Sequence, residues 1–152
     1  MFRGRTTVSL DAKGRLAVPS RYRERLAESY DNALVLTPSP YDPCLWLYPL
    51  REWELIEEKL ARLPDHDRAT RRMKQILRGA AEDVTLDSQG RVLIPQHLRE
   101  RGGLDRMVTI LGEGSRFELW DEARWKEVEA GEDLASLGTG DAPPSLRDFS
   151  FN

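Results

Sequence analysis

Apolar residues fall along this chain in short runs with two different periods. Val8 and Leu10 alternate with Thr7 and Ser9, the period of two that marks a strand. Asp11-Ala12-Lys13-Gly14 then reads as a turn. An Asp at its first position accepts hydrogen bonds from backbone N–H groups two residues on, and Gly at its fourth tolerates positive φ. Leu16-Ala17-Val18 is a short apolar strand closed by Pro19, which has no N–H for a ladder and suits the start of a helix. That predicts a short helix from Ser20 to Leu26. Strands follow at Leu34-Val35-Leu36 and Leu45-Trp46-Leu47-Tyr48, on either side of a Pro-rich turn from Thr37 to Pro43. The period then lengthens. Trp53, Ile56, Leu60 and Leu63 are spaced as on a helix with acidic residues between them, and Pro64 stops it. Asp67 stands where it can cap a further helix whose Ala69, Met73, Ile76 and Leu77 form one face.

The same order then recurs. Residues 84–101 overlay residues 8–25 at an offset of 76, with nine of 18 positions identical: Val8, Leu10, Asp11, Gly14, Arg15, Pro19, Arg23, Glu24 and Arg25. Arg3-Gly4 is echoed by Arg78-Gly79, and Leu47-Tyr48 with Trp53 by Leu119-Trp120 with Trp125. The second copy predicts strands at Val84–Leu86, Val92–Ile94, Met107–Leu111 and Phe117–Trp120, with a helix near Gln96–Arg101 and a turn at Glu113–Ser115. Asp121 is expected to cap a helix from Glu122 to Ala130 that buries Trp125 and Val128. The chain thus divides into a first module (1–63), a basic helical linker (64–79), a second module (80–130) and a tail (131–152) with few apolar anchors, expected to be loosely ordered. A unit of about 50 residues buries little apolar surface and leaves strand edges open. The two copies are therefore expected to pair into one pseudo-symmetric α+β body, mainly β. Trp53 and Trp125 are candidates for contacts between subunits, with an intrachain core role the equal alternative.

Composition narrows the function. The chain has 152 residues, 39% hydrophobic and 32% charged, which suits a folded globular protein. No apolar run is long enough to span a membrane, and no apolar stretch follows Met1-Phe2-Arg3-Gly4-Arg5, so neither a membrane anchor nor a secretory signal is expected. One cysteine, Cys44, and two histidines cannot supply a disulfide or a zinc site of the usual spacing. The expectation is a cytosolic protein without metal or cofactor. A net charge of −3 argues at first against a polyanionic partner, but the charge is segregated. Residues 1–25 carry seven basic and two acidic side chains, and residues 61–79 carry six and two. Residues 26–60 carry two basic and seven acidic, and residues 107–152 four and ten. Local potential, rather than net charge, governs attraction to a polyanion.

The candidate chemistry lies in the repeated turns. Arg15 and Arg91 each stand one residue past a tight turn, where a guanidinium can bond two acceptors of guanine or grip a phosphate. A salt bridge to Asp11 or Asp87 is the competing use of each. Those two aspartates are read mainly as turn-structuring, able also to orient the arginine, and Gly14 and Gly90 as backbone-permissive positions. Lys13 is replaced by Gln89 in the second copy, so the two modules need not contact a ligand equally. Arg3, Arg5 and Arg78 precede the turn strands and are candidate phosphate contacts. Arg68, Arg71, Arg72 and Lys74 read as a solvated helix face. His66 lies between Asp65 and Asp67, His97 follows Pro95 in a short helix, and Cys44 has no evident base, so no enzymatic constellation emerges.

The duplicated Asp-x-x-Gly-Arg turn followed by an apolar triplet and Pro resembles the swapped-hairpin DNA-binding module of the AbrB/SpoVT group. With Met1-Phe2-Arg3-Gly4 at the start, Leu10 to Leu16 with Val18-Pro19, and Phe117-Glu118-Leu119-Trp120, the chain resembles the MraZ family of bacterial transcriptional regulators over nearly its whole length. The resemblance implies a nucleoid-associated, sequence-specific binder of double-stranded DNA. It would repress its own operon, at the head of the division and cell-wall gene cluster, by occupying tandem repeats upstream of the promoter. It also implies a homo-oligomeric ring of about eight subunits, with DNA-facing basic residues at Lys13, Arg15 and Arg91. An AbrB-type antitoxin or protein-binding module is the alternative. Two modules and a short tail count against it, because such antitoxins usually carry one such module plus a disordered partner-binding tail.

Overall fold

The structure is a computed structural model, and it describes residues 1–131 and 142–150. The first repeat supplies β1 (Phe2–Ser9), β2 (Arg15–Ala17), α1 (Ser20–Tyr30), β3 (Ala33–Pro38), β4 (Leu45–Pro49) and α2 (Leu50–Ala61). The connecting helix α3 spans Arg68–Leu77. The second repeat supplies β5 (Glu82–Thr85), β6 (Arg91–Leu93), α4 (Gln96–Arg101), β7 (Met107–Gly114), β8 (Arg116–Asp121) and α5 (Glu122–Ala130), and α6 spans Pro144–Arg147.

The strands of the two repeats are interleaved. Six of them form one antiparallel sheet in the order β1-β7-β8-β4-β3-β5, and β2 pairs with β6 in a separate two-stranded ribbon. The first strand of each repeat therefore joins the other repeat. β1 runs against β7 from Phe2↔Gly114 to Ser9↔Met107, and β5 runs against β3 from Ala33↔Thr85 to Leu36↔Glu82. β4 and β8 meet at the centre, with Leu45 opposite Leu119. This exchange leaves neither repeat with a closed core of its own. Leu16 and Val18 of one copy and Val92 and Ile94 of the other lie in a single buried cluster with Leu26, Leu98, Leu36, Leu47 and Leu119. Phe2 seals the end of that cluster, its ring 4.3 Å from Phe117.

The local signals account for most elements. Asp67 caps α3 by accepting from the Ala69 N–H at 3.2 Å. Lys74 is buried in α3, and its Nζ donates to the Leu63 carbonyl at 2.8 Å and to Asp65 at 2.7 Å, which ties down the segment after α2. The Thr37 hydroxyl donates to the Leu77 carbonyl at 2.6 Å and seats α3 on β3. α1 runs past the expected Leu26 to Tyr30. Its stop comes from Asp31 and Asn32 at φ 53 and 57, with the Asn32 N–H returning to the Leu26 carbonyl at 3.0 Å. Such left-handed ends usually announce themselves by glycine, and here they do not.

Trp53 is 1% exposed, packs on Tyr48 at 5.5 Å between ring centroids and donates through Nε1 to Glu57. Those contacts are all within the chain, the packing expected of the intrachain alternative for Trp53. Residues Ala123–Asn152 form a separate unit. In α5 Trp125 is half-buried, whereas Val128, expected to be covered, is exposed. The loosely ordered tail expected over 131–152 falls largely on residues 132–141 and 151–152, which lie outside the described residues. Among the described residues no helix is long and apolar enough to cross a membrane.

Candidate nucleic-acid interface

Each Asp-x-x-Gly-Arg segment folds into the same closed loop. In the first, Asp11 Oδ1 accepts from the backbone N–H groups of Lys13 at 2.9 Å and Arg15 at 2.8 Å. The Gly14 N–H donates to the Asp11 carbonyl at 3.0 Å. In the second, Asp87 Oδ1 accepts from Gln89 N–H at 2.9 Å and Arg91 N–H at 2.8 Å, and Gly90 N–H donates to the Asp87 carbonyl at 3.0 Å. The other carboxylate oxygen holds the arginine: Arg15 Nε lies 2.6 Å from Asp11 Oδ2, and Arg91 Nε 3.0 Å from Asp87 Oδ2. The N–H of Arg15 is the largest reason that the Asp11 carboxyl is lowered to about 2; the Arg15 side chain and the Lys13 N–H add to it against partial desolvation. Asp87 is lowered too, by the N–H of Arg91 first. Both stay ionised at neutral pH.

The salt bridge weighed as the competing use of each arginine is formed in both repeats, made by the same carboxylate that holds the turn. The aspartate engages Nε, and among the described residues the Arg15 side chain makes no further hydrogen bond or ion pair, which leaves its two terminal nitrogens for an outside acceptor. Arg91 differs slightly, its Nη1 lying 3.9 Å from Asp11 Oδ2 across the repeats.

The two loops are locked together by reciprocal bonds. The Val18 N–H donates to the Gly90 carbonyl and the Ile94 N–H to the Gly14 carbonyl, each at 2.9 Å. In the first repeat the flanks of the turn meet at the Leu10↔Leu16 bridge and through the Asp11 N–H to the Arg15 carbonyl at 3.0 Å, before β1 and β2 part to pair elsewhere. In the ribbon Arg15 stands opposite Leu93, Leu16 opposite Val92, and Ala17 opposite Arg91. Alternation puts Leu16 and Val92, both 0% exposed, on the core face, and Arg15, Ala17, Arg91 and Leu93 together on the outer face. Sequence spacing had separated Arg15 and Arg91 by 76 positions; the exchange brings them onto one small surface.

Two further arginines belong to this surface and were not among the sequence candidates. Arg23 of α1 and Arg99 of α4 each donate through Nε to the end of the preceding strand, to Val18 O at 2.7 Å and Ile94 O at 3.0 Å. Each side chain crosses over the turn glycine of the opposite repeat. A Cβ built on Gly14 would stand 2.7 Å from Arg99 Cζ, and one on Gly90 would stand 2.5 Å from Arg23 Cζ. Gly14 (φ 85) and Gly90 (φ 75) therefore serve backbone shape and close approach together. The identity of Arg23 and Arg99 in the repeat was the available signal. Lys13 and Gln89 are exposed on the loops.

The other candidates lie elsewhere. Arg3 and Arg5 are exposed on β1, and Arg5 is six residues from Asp11, about 20 Å along an extended strand. Arg78 follows α3 and lines a depression with Glu54, Glu57 and Glu58. Cys44 is buried, and desolvation pushes its thiol up to about 12. His97 is exposed, 3.5 Å from Glu82. Among the described residues no group of three or more His, Cys, Asp or Glu is placed to hold a metal ion.

A family model described as "MraZ protein, putative antitoxin-like" matches this chain twice, over residues 1–76 and 76–143, the two halves of the repeat. The chain belongs to the MraZ family. It is 47% identical over 152 residues to the transcriptional regulator MraZ of Escherichia coli K12, covering 99% of this chain and 100% of that protein. It is 47% identical over 149 residues to the transcriptional regulator MraZ of Pseudomonas fluorescens Pf-5, covering 98% and 99%. At that coverage the chain is itself a transcriptional regulator of the MraZ family, and not an enzyme.

Proposed function

We propose that this MraZ-family regulator binds double-stranded DNA through the outer face of the β2–β6 ribbon, with Arg15 and Arg91 as the reading residues. The observation that carries the reading is the pair of Asp-held arginines, Asp11–Arg15 and Asp87–Arg91, presented side by side with their Nε atoms engaged. A two-stranded ribbon fits the major groove, and a guanidinium held in a fixed plane meets O6 and N7 of guanine without first losing its own freedom. Lys13, Arg23 and Arg99 supply phosphate contacts around it, while Gln89 makes the second loop the weaker electrostatic partner. Arg3, Arg5 and Arg78, remote from the loops, reach phosphates only on DNA that continues past the ribbon.

In this reading the target is the tandem-repeat region upstream of the protein's own promoter, and occupancy represses the operon and the division and cell-wall cluster it heads. The setting is the nucleoid, in the cytoplasm. One ribbon covers few base pairs, so affinity comes from a ring of about eight subunits presenting ribbons at fixed spacing to adjacent repeats. In this reading the chain divides into a module over 1–63, a linker over 64–79 and a module over 80–130, with the strands of the two modules interleaved.

The test is fluorescence anisotropy of the purified oligomer on the DNA upstream of its own gene against a scrambled duplex, across a range of salt. Preference for the native sequence, with affinity falling as salt rises, supports the reading. Equal binding to both duplexes removes specific repression. The antitoxin-like character in the family's description keeps a protein partner as the second reading, favoured if the folded protein binds neither duplex at low salt.

A further inference from the structure

The outer face of the ribbon holds one residue that the electrostatic account does not use. Leu93 lies in β6, is 53% exposed, and stands in cross-strand register with Arg15. The alternation that buries Val92 and Ile94 at 0% places Leu93 on the same side as Arg91. The position related to it by the repeat is Ala17, opposite Arg91. The face is therefore symmetric in its arginines and asymmetric in its apolar residues: a leucine beside Arg15, a methyl group beside Arg91.

We propose that Leu93 is a specificity-determining residue of the DNA interface, packing against the 5-methyl group of a thymine in the major groove. The inference rests on the DNA reading above and adds the base class read at one position. The surroundings favour this occupant over an apolar protein surface. Leu93 is an isolated side chain between charged residues, with Arg15 across the ribbon and Arg91 two residues before it, and a polyanion is the complementary partner for that frame. In the major groove the thymine methyl is the apolar group that base edges present, and aliphatic side chains meet it there. Cross-strand neighbours stand about 5 Å apart and successive base pairs about 3.4 Å, so Arg15 and Leu93 meet bases one or two steps apart. The composite signal is a guanine next to a thymine under the Arg15 half. Under the Arg91 half the smaller Ala17 gives up most of that discrimination, so the protein reads its site with a direction despite its internal repeat.

The experiment measures anisotropy binding of wild type and Leu93→Ala to the upstream duplex, and to the same duplex with deoxyuridine in place of thymidine, which removes the methyl groups and keeps the pairing. Light scattering follows the assembly mass of both proteins. Wild type is expected to lose about three- to tenfold in affinity on the deoxyuridine duplex, the worth of one buried aliphatic contact. Leu93→Ala is expected to lose about the same on thymidine DNA and to distinguish the two duplexes by less than about twofold, at unchanged assembly mass. An exposed residue tolerates this change without unfolding. Ala17→Leu is expected to widen the wild-type preference for thymidine. The proposal is overturned if Leu93→Ala keeps the wild-type ratio between duplexes, or if it alters the assembly mass, which would make Leu93 a subunit contact. Wild type that binds the upstream DNA without Leu93 dependence sinks this inference alone; wild type that binds neither duplex sinks the DNA reading with it.

Discussion

Replacing Gly90 by alanine should do more damage than an alanine at φ 75 alone. A left-handed backbone costs an L-residue about 1 kcal/mol relative to glycine. The added Cβ would also lie 2.5 Å from Arg23 Cζ and 2.6 Å from Arg23 Cδ, so the Arg23 side chain must leave. In leaving it gives up the 2.7 Å bond from its Nε to the Val18 carbonyl. Hydrogen bonds to charged groups contribute about 1.5–3 kcal/mol. The two terms together put Gly90→Ala at about 2.5–4 kcal/mol. Arg23→Ala loses the same bond and costs about 1.5–3 kcal/mol. The double variant has only the strain and one lost bond to bear, so it should be barely less stable than Gly90→Ala alone, a coupling of about 1.5–3 kcal/mol. Urea unfolding followed by tryptophan fluorescence, at one protein concentration for all four proteins, measures each value. A double variant whose loss equals the sum of the singles within about 0.5 kcal/mol would refute the claim that Arg23 clamps the opposite turn.

Three other outcomes can be checked on the same material. The Asp11 carboxyl falls from 3.8 in an unstructured chain to about 2, so its contribution to stability is complete above about pH 4 and is lost as pH drops toward 2; acid titration by NMR should show Asp11 titrating there, and a midpoint near 4 would break the turn geometry. Cys44, buried with its thiol pushed up to about 12, should resist iodoacetamide at pH 8 in the folded protein and react once unfolded; rapid native alkylation would mean the site opens. Leu16 and Leu93 lie on opposite faces of one ribbon, so Leu16→Ala should cost about 2–5 kcal/mol in urea unfolding and Leu93→Ala under about 0.5, and equal losses would overturn the assigned faces.

Much of the site was legible because its causes are local. An Asp four residues before an Arg, with Gly between them, closes a turn wherever it occurs, and both copies close it with the same three bonds to the aspartate side chain. The period of two gave the strands and Asp67 marked the start of α3, whereas α2 ends at Ala61, before Pro64, and leaves Leu63 exposed outside it. Pairing was not legible. Nothing in Phe2–Ser9 names Met107–Gly114 as its partner; that choice depends on which arrangement buries Leu16, Val92, Leu26 and Leu98 in one cluster. Arg23 and Arg99 were marked by their identity in the repeat, but their approach to the turn glycine of the opposite repeat depends on that pairing and was not legible. Trp53 and Val128 went the other way. Helical spacing identifies a face but not its cover, and α2 turns Trp53 onto Tyr48 while α5 leaves Val128 exposed.

The proposed function stands on Arg15 and Arg91 acting together from the outer face of the β2–β6 ribbon. Its most direct test is the affinity of Arg15→Ala, Arg91→Ala and the double variant for the upstream duplex over a salt series, with assembly mass recorded on each sample. Both single variants should bind more weakly, Arg15→Ala more than Arg91→Ala. The double variant should approach its affinity for scrambled DNA, with a shallower salt dependence and an unchanged assembly mass. A folded, fully assembled double variant that still prefers the native sequence as strongly as wild type would contradict the account.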